Sequence, residues 1–406
     1  MKQIVGRNKI YLPGQNERLH CFFAISFMVF FFYNSASAQT NCTYNNRSVL
    51  FGERSKELAV SDSNVVRIFM DKNGSYYPDI FIDDKELEEN CSSLSEWYKT
   101  HAVKLNMLAK AYHVSDSLDT NLKIEALNKA IANEYVNAIN SKASGYDFID
   151  ILIHGFRKKA FGKVDGSSSY SSEDNKVLRS QLAKNVSKKI LFVEIYWDSK
   201  FITPAQSYKY RGFKLFSDAA IPNADKVGLS LRQVVSSIQH DRVNIISHSL
   251  GARVAGELLF DEAGLPNEKE YATPSQKNIK ICMIAPAIGF EFFNNYYVRN
   301  TTYDFKAADN YHFSLVYNEN DFVLLKQYPF GINALPTEYG NTSLGCNYKN
   351  DLDKLTDLFK SNYKNSLLPV YFNCSLRNDG GPLGCHLVSC YCRNNGFGAV
   401  AEYLDK

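Results

Sequence analysis

The apolar positions of this chain gather into short runs separated by longer amphipathic stretches. Val65-Val66-Arg67-Ile68-Phe69 reads as a strand closed by the turn Asp71-Lys72-Asn73-Gly74. Apolar residues then recur at helical spacing over 93–112 and again over 122–139. Phe148-Ile149-Asp150-Ile151-Leu152-Ile153 is almost continuously apolar, as a strand covered on both faces should be. The runs 190–196, 243–246, 279–284 and 311–317 repeat that pattern, while 229–238 and 351–359 carry a helical period. The polar, Ser-rich stretch 165–175 reads as a mobile loop. Strands alternating with helices predict an α/β protein with a mostly parallel central sheet flanked by helices. Chemistry in such sheets gathers at the carboxyl ends of the strands.

One strand end stands out. Val243-Asn244-Ile245-Ile246 runs into Ser247-His248-Ser249-Leu250-Gly251, and a helix follows with Leu250, Val254, Leu258 and Leu259 on one side and Ala252, Ala255 and Gly256 keeping another side thin. A strand that turns directly into a helix at a serine flanked by small residues is a nucleophile elbow, which holds the serine in a strained backbone conformation. Gly251 satisfies the demand for a small residue two positions on, and Ser247 stands where that pattern has glycine. The helix start also aims its free N–H groups at negative charge developing beside Ser249.

A serine nucleophile needs a base and an acid that orients the base, and enzymes with this elbow carry them in the order Ser, acid, His. Only His312 and His386 follow Ser249; His312 falls inside a strand, so His386 is the expected base. The end of strand 311–317 offers Asp321 and Glu319, and Asp321, deeper in the loop, is the expected acid with Glu319 as the alternative. The expected oxyanion donors are the N–H groups of Leu250, next to the nucleophile, and of Phe156, in the loop His154-Gly155-Phe156 after strand 148–153. His154 is expected to buttress that loop and His248 to face the helix or the crevice, neither as base.

Composition then sets the context. Lys2, Arg7, Lys9 and Arg18 precede a 13-residue apolar run, 21–33, and Ala36-Ser37-Ala38 has the form of a cleavage site, so 1–38 reads as a signal peptide, with an uncleaved anchor as the alternative. That segment holds four basic residues and one acidic residue, Glu17; without it the formal charge of +3 falls to zero. A neutral chain argues against a nucleic-acid partner. With 27 Phe and 26 Tyr, most rings must line a core or a crevice. Export makes disulfides the default for the eight remaining cysteines: Cys42 is expected to pair with Cys91, and Cys346, Cys374, Cys385, Cys390 and Cys392 to make a disulfide-rich C-terminal segment in which a bond at Cys385 positions His386. Cys282, in mid-strand, is expected as a buried thiol. A zinc site in the Cys385–Cys392 segment is the rival reading, without the paired C-x-x-C spacing. The expected organisation is a signal peptide (1–38), an N-terminal extension or small subdomain (39–141) and the domain bearing the elbow (142–406).

His154-Gly155-Phe156, the strand ending Tyr196-Trp197-Asp198-Ser199, and Ser247-His248-Ser249-Leu250-Gly251-Ala252-Arg253-Val254, in this order, resemble the α/β-hydrolase superfamily. They are most similar to a bacterial serine-hydrolase branch with a lipase-like elbow, over roughly 146–388. Where relatives often carry Asp after Ala-Pro, this chain has Ala287. The resemblance implies an α/β-hydrolase fold and hydrolysis through an acyl-enzyme, without metal or organic cofactor. The expected protein is a secreted or periplasmic serine hydrolase acting on small-molecule or lipid carboxylic esters, with no membrane span after signal cleavage. A peptidase is a weaker option, and a non-catalytic binding or adhesion protein on a hydrolase scaffold is the alternative. The loops 157–188 and 199–226, the second aromatic with Phe201, Tyr208, Tyr210, Phe213 and Phe216, are where an acyl pocket would form.

Overall fold

The computed structural model describes residues 62–78, 93–156, 171–199, 216–260, 278–293, 311–327, 334–363, 368–374, 386–393 and 397–406. Seven strands form one sheet: β1 (Val65–Met70), β2 (Phe148–Ile153), β3 (Ile190–Trp197), β4 (Arg242–His248), β5 (Asn278–Ile284), β6 (Tyr311–Tyr317) and β7 (Val370–Asn373). Their order is β1-β3-β2-β4-β5-β6-β7, and every neighbouring pair is parallel. β2 and β3 are buried at every position, so both faces of the sheet are covered there, as their continuous apolar character requires. All seven carboxyl ends therefore lie at one edge of the sheet, with the elbow strand β4 at its centre.

The predicted helix over 93–112 is two helices, α1 (Leu94–Thr100) and α2 (Ala102–Ala111). The break has a local cause. Thr100 Oγ1 and His101 Nδ1 both bond to the Trp97 carbonyl (3.0 and 2.9 Å), and His101 N turns instead to Tyr98 O (3.3 Å). Ser93 and Glu96 close the start of α1 with a reciprocal capping box. α3 (Thr120–Ala143), capped by Asp119, packs against β1 and β3.

The expected polar loop 165–175 is corrected at its end, because α4 (Ser171–Asn185) begins at Ser171. Its buried anchors are Leu178, Leu182 and Asn175, too few apolar positions to announce a helix. α5 (Ile221–Ser237) starts eight residues before the predicted 229. Its first turns bury Asn223, Ala224 and Asp225, and Asp225 pairs with Arg253 (2.6 Å) on α6 (Gly251–Phe260). Small and polar residues bonded to a neighbouring helix hide the apolar stripe that periodicity looks for. α7 (Asp351–Tyr363), α8 (Val388–Arg393) and α9 (Phe397–Asp405) complete the chain. α8 and α9 both pack against α4.

A polar row crosses the sheet in register: Asp150 on β2, Asn244 on β4, Lys280 on β5 and His312 on β6. Asn244 Nδ2 donates to Asp150 Oδ1 (2.7 Å), and both Asn244 and Lys280 donate to Leu404 O of α9 (3.4 and 3.2 Å). The row thereby seats α9 on that face of the sheet.

The expectation of a disulfide-rich C-terminal segment is not met among the described residues, where no two cysteines are joined. Cys346 is buried, and its Sγ donates to the Thr342 and Ser343 carbonyls of its own turn (3.7 and 3.6 Å). Cys392 is buried on α8, and Cys282 is buried within β5 as a thiol. The proposed Cys42–Cys91 pair, Cys385 and the segment 1–38 lie outside the described residues. No helix among the described residues is long and apolar enough to cross a membrane.

Candidate active site

The loops at the carboxyl ends of β2, β4, β5 and β6 meet around Ser249. Ser249 has φ +54°, the left-handed conformation, which costs a non-glycine residue about 1–2 kcal/mol. Three backbone bonds hold it there. Ser249 N donates to Ile284 O (2.9 Å), and Ser249 O accepts from Ala252 N and Ala287 N (3.1 Å each). At a net value of about 1 kcal/mol each, such bonds offset the strain. Two of the three partners follow the end of β5 or lie within it, so the elbow is braced by the neighbouring strand as well as by its own helix.

Close packing beneath the elbow demands glycine at two positions. A Cβ on Gly155 would come within 2.7 Å of Ser249 Cβ, and one on Gly251 within 2.5 Å of Ile153 O. The His154-Gly155-Phe156 loop can therefore lie directly against the serine. His154 fixes that loop: Trp197 N donates to its Nε2 (3.1 Å), so the ring proton sits on Nδ1 and goes to Gly155 O (2.8 Å). Trp197 Nε1 donates to His154 O (3.0 Å), and the two rings stack at 5.7 Å. Both ring nitrogens of His154 are thus committed to backbone, and the buttressing role read from the sequence is the one its geometry allows. The Phe156 ring meets Phe216 edge-on at 5.5 Å. The other aromatic residues singled out in that loop, Phe201, Tyr208, Tyr210 and Phe213, lie outside the described residues.

His386, at the start of the segment leading into α8, is brought to Ser249 across 137 positions of chain: its Nε2 lies 3.0 Å from Ser249 Oγ. Its Nδ1 donates to Asp321 Oδ2 at 2.8 Å. Asp321 is fully buried, and its Oδ1 accepts from Val323 N and Leu324 N (3.0 and 3.1 Å), bonds to its own turn that fix the plane of the carboxylate. Glu319 stays at the surface, where Asn347 Nδ2 donates to it (3.1 Å). Asp321, not Glu319, is the acid that meets His386.

Two contacts had no signal in the sequence. His248 Nε2–H donates to the backbone carbonyl of His386 (2.8 Å), so the elbow itself grips the segment carrying that histidine. The Tyr391 hydroxyl on α8 donates to Asp321 Oδ2 (2.8 Å). A single chain gives no hint of either, because both depend on which loop the fold sets against the elbow. Among the described residues no group of His, Cys, Asp and Glu side chains is arranged to hold a metal ion.

Chemically, the arrangement can do three things. A hydroxyl is hydrogen-bonded to an imidazole nitrogen able to take its proton. A buried carboxylate holds the opposite nitrogen protonated and would stabilise the imidazolium. α6 begins at Gly251, two residues after the serine, and a helix start of that kind can stabilise negative charge developing beside it. No protein-family model matches the chain, and no curated protein matches it either.

Proposed function

We propose that this protein is a serine hydrolase of the α/β-hydrolase plan, acting on carboxylic esters through an acyl-enzyme on Ser249. The observation that carries the reading is the continuous relay Asp321–His386–Ser249, with the serine in a strained elbow. Support also comes from order along the chain: serine after β4, acid after β6, histidine after β7. In the proposed reaction His386 Nε2 takes the Ser249 proton as Oγ attacks the ester carbonyl. The N–H groups of Leu250 and Phe156 hold the resulting oxyanion. The imidazolium gives its proton to the departing alcohol, and water, activated by the same nitrogen, then releases the acid and restores Ser249.

The test is twofold. A fluorophosphonate probe should label wild-type protein at Ser249, and short p-nitrophenyl esters should be hydrolysed. Ser249→Ala should lose labelling and about 10³-fold or more of the turnover. Absence of both in folded wild-type protein would favour a binding protein on a hydrolase scaffold. We further propose that the protein is exported and that 1–38 is removed. N-terminal sequencing of exported material should then begin at Gln39, and an intact first residue in the membrane fraction would support an anchor instead.

A further inference from the structure

Asp321 Oδ2 accepts two hydrogen bonds, both from one short stretch of chain. His386 Nδ1 and the Tyr391 hydroxyl each lie 2.8 Å away, five residues apart in sequence. A carboxylate oxygen has two lone-pair sites, so this one is filled. Tyr391 is completely buried, on the helix that packs against α4, and its hydroxyl is spent on the acid rather than on solvent. We propose that Tyr391 is a positioning residue for the base: it locks the acid and the histidine to the same segment and withdraws part of the carboxylate's charge from the imidazole. The inference rests on the reading of His386 as general base.

Each consequence is physical. With one lone pair of Oδ2 occupied, His386 can bond to the other in a single orientation, the one that points Nε2 at Ser249. The segment is then pinned at three points: the ring of His386 by Asp321, its carbonyl by His248, and α8 by Tyr391. A donor on the carboxylate also takes up part of the charge that Oδ2 would otherwise turn toward the imidazole. The other titratable groups facing this pair are few among the described residues. His248 approaches from β4, with ring centroids 5.1 Å apart, and Cys346 lies beside Asp321. Burial above all pushes the Cys346 thiol up to about 12, so it adds no charge near neutrality.

The test uses the full chain and two replacements of opposite sign. Tyr391→Phe removes the donor. The acid limb of kcat/KM for p-nitrophenyl acetate should move up, and kcat should fall by about threefold to tenfold with KM little changed. Site-specific 3-fluorotyrosine at position 391 makes the hydroxyl a stronger donor without changing its place, and the acid limb should move down. In histidine-labelled protein the NMR resonance of the Nδ1–H that His386 donates to Asp321 should move in opposite directions in the two replacements, a reading that needs no turnover. Failure of ester hydrolysis in the wild type would therefore sink the hydrolase reading while leaving the Tyr391 proposal open to this second measurement. A limb and a resonance that stay put in both replacements, or a loss of kcat without movement of either, overturn the proposal.

Discussion

At the scale of the residue, the decisive distinction is between two carboxylates two positions apart. Glu319 is exposed and holds Asn347, whereas Asp321 is buried and takes four hydrogen bonds, three of them from groups other than His386. An amide in place of Asp321 keeps the shape but offers an N–H where the histidine needs an acceptor, which favours the wrong imidazole tautomer. Asp321→Asn should therefore lower ester hydrolysis by about 10³- to 10⁴-fold, as such replacements do elsewhere. Glu319→Gln changes a surface contact and should leave turnover within about twofold. Parallel kcat/KM measurements on the two variants check this; a crippled Glu319→Gln with an active Asp321→Asn would reverse the assignment.

At the scale of the element, what the sequence revealed follows from where each signal is stored. The strands of the sheet interior were legible because doubly covered strands must be largely apolar, and β2 to β6 keep apolar runs around the few polar positions they carry. The elbow was legible because its geometry forbids large residues, and Gly155 and Gly251 meet backbone or Ser249 at distances no side chain could accept. Elements held mainly by polar contacts left no such trace. α4 buries Asn175, the start of α5 buries Asn223 and Asp225, and the short edge strand β7 is only partly covered, so none showed a clean period. His386, which lies beside Ser249, was singled out by elimination along the chain, but the groups that hold it were not. The expected anchor of the glycine-rich segment, a disulfide at Cys385, lies outside the described residues; among the described ones the holding groups are Asp321, His248 and Tyr391. Hydrogen bonds between residues 70 and 138 positions apart exist only once the fold has set the segment against the elbow.

At the scale of the whole molecule, the polar row beneath α9 gives stability a pH dependence. Burial is the largest influence on Asp150 and raises its carboxyl to about 7, against smaller opposing effects of the Asn244 hydrogen bond and of Lys280. In the unfolded chain the same group titrates near about 3.9. Between those values the unfolded chain has released a proton that the folded chain retains, so folding stability from this group is fully present below about pH 4 and is lost as pH rises through about 7. Asp150→Asn holds the position neutral at every pH and keeps an oxygen to accept from Asn244. The variant's gain in Tm over wild type should therefore be small at pH 5 and larger at pH 7.5, by on the order of 5 °C. Lys280, lowered to about 8 chiefly by its own burial and then by Arg242 and Lys188, keeps most of its charge at both pH values. The difference between variant and wild type then isolates Asp150. Thermal melts of the two proteins at both pH values are the measurement, and an equal shift at pH 5 and pH 7.5 would mean that Asp150 stays ionised in the fold and that the row seats α9 through its hydrogen bonds alone.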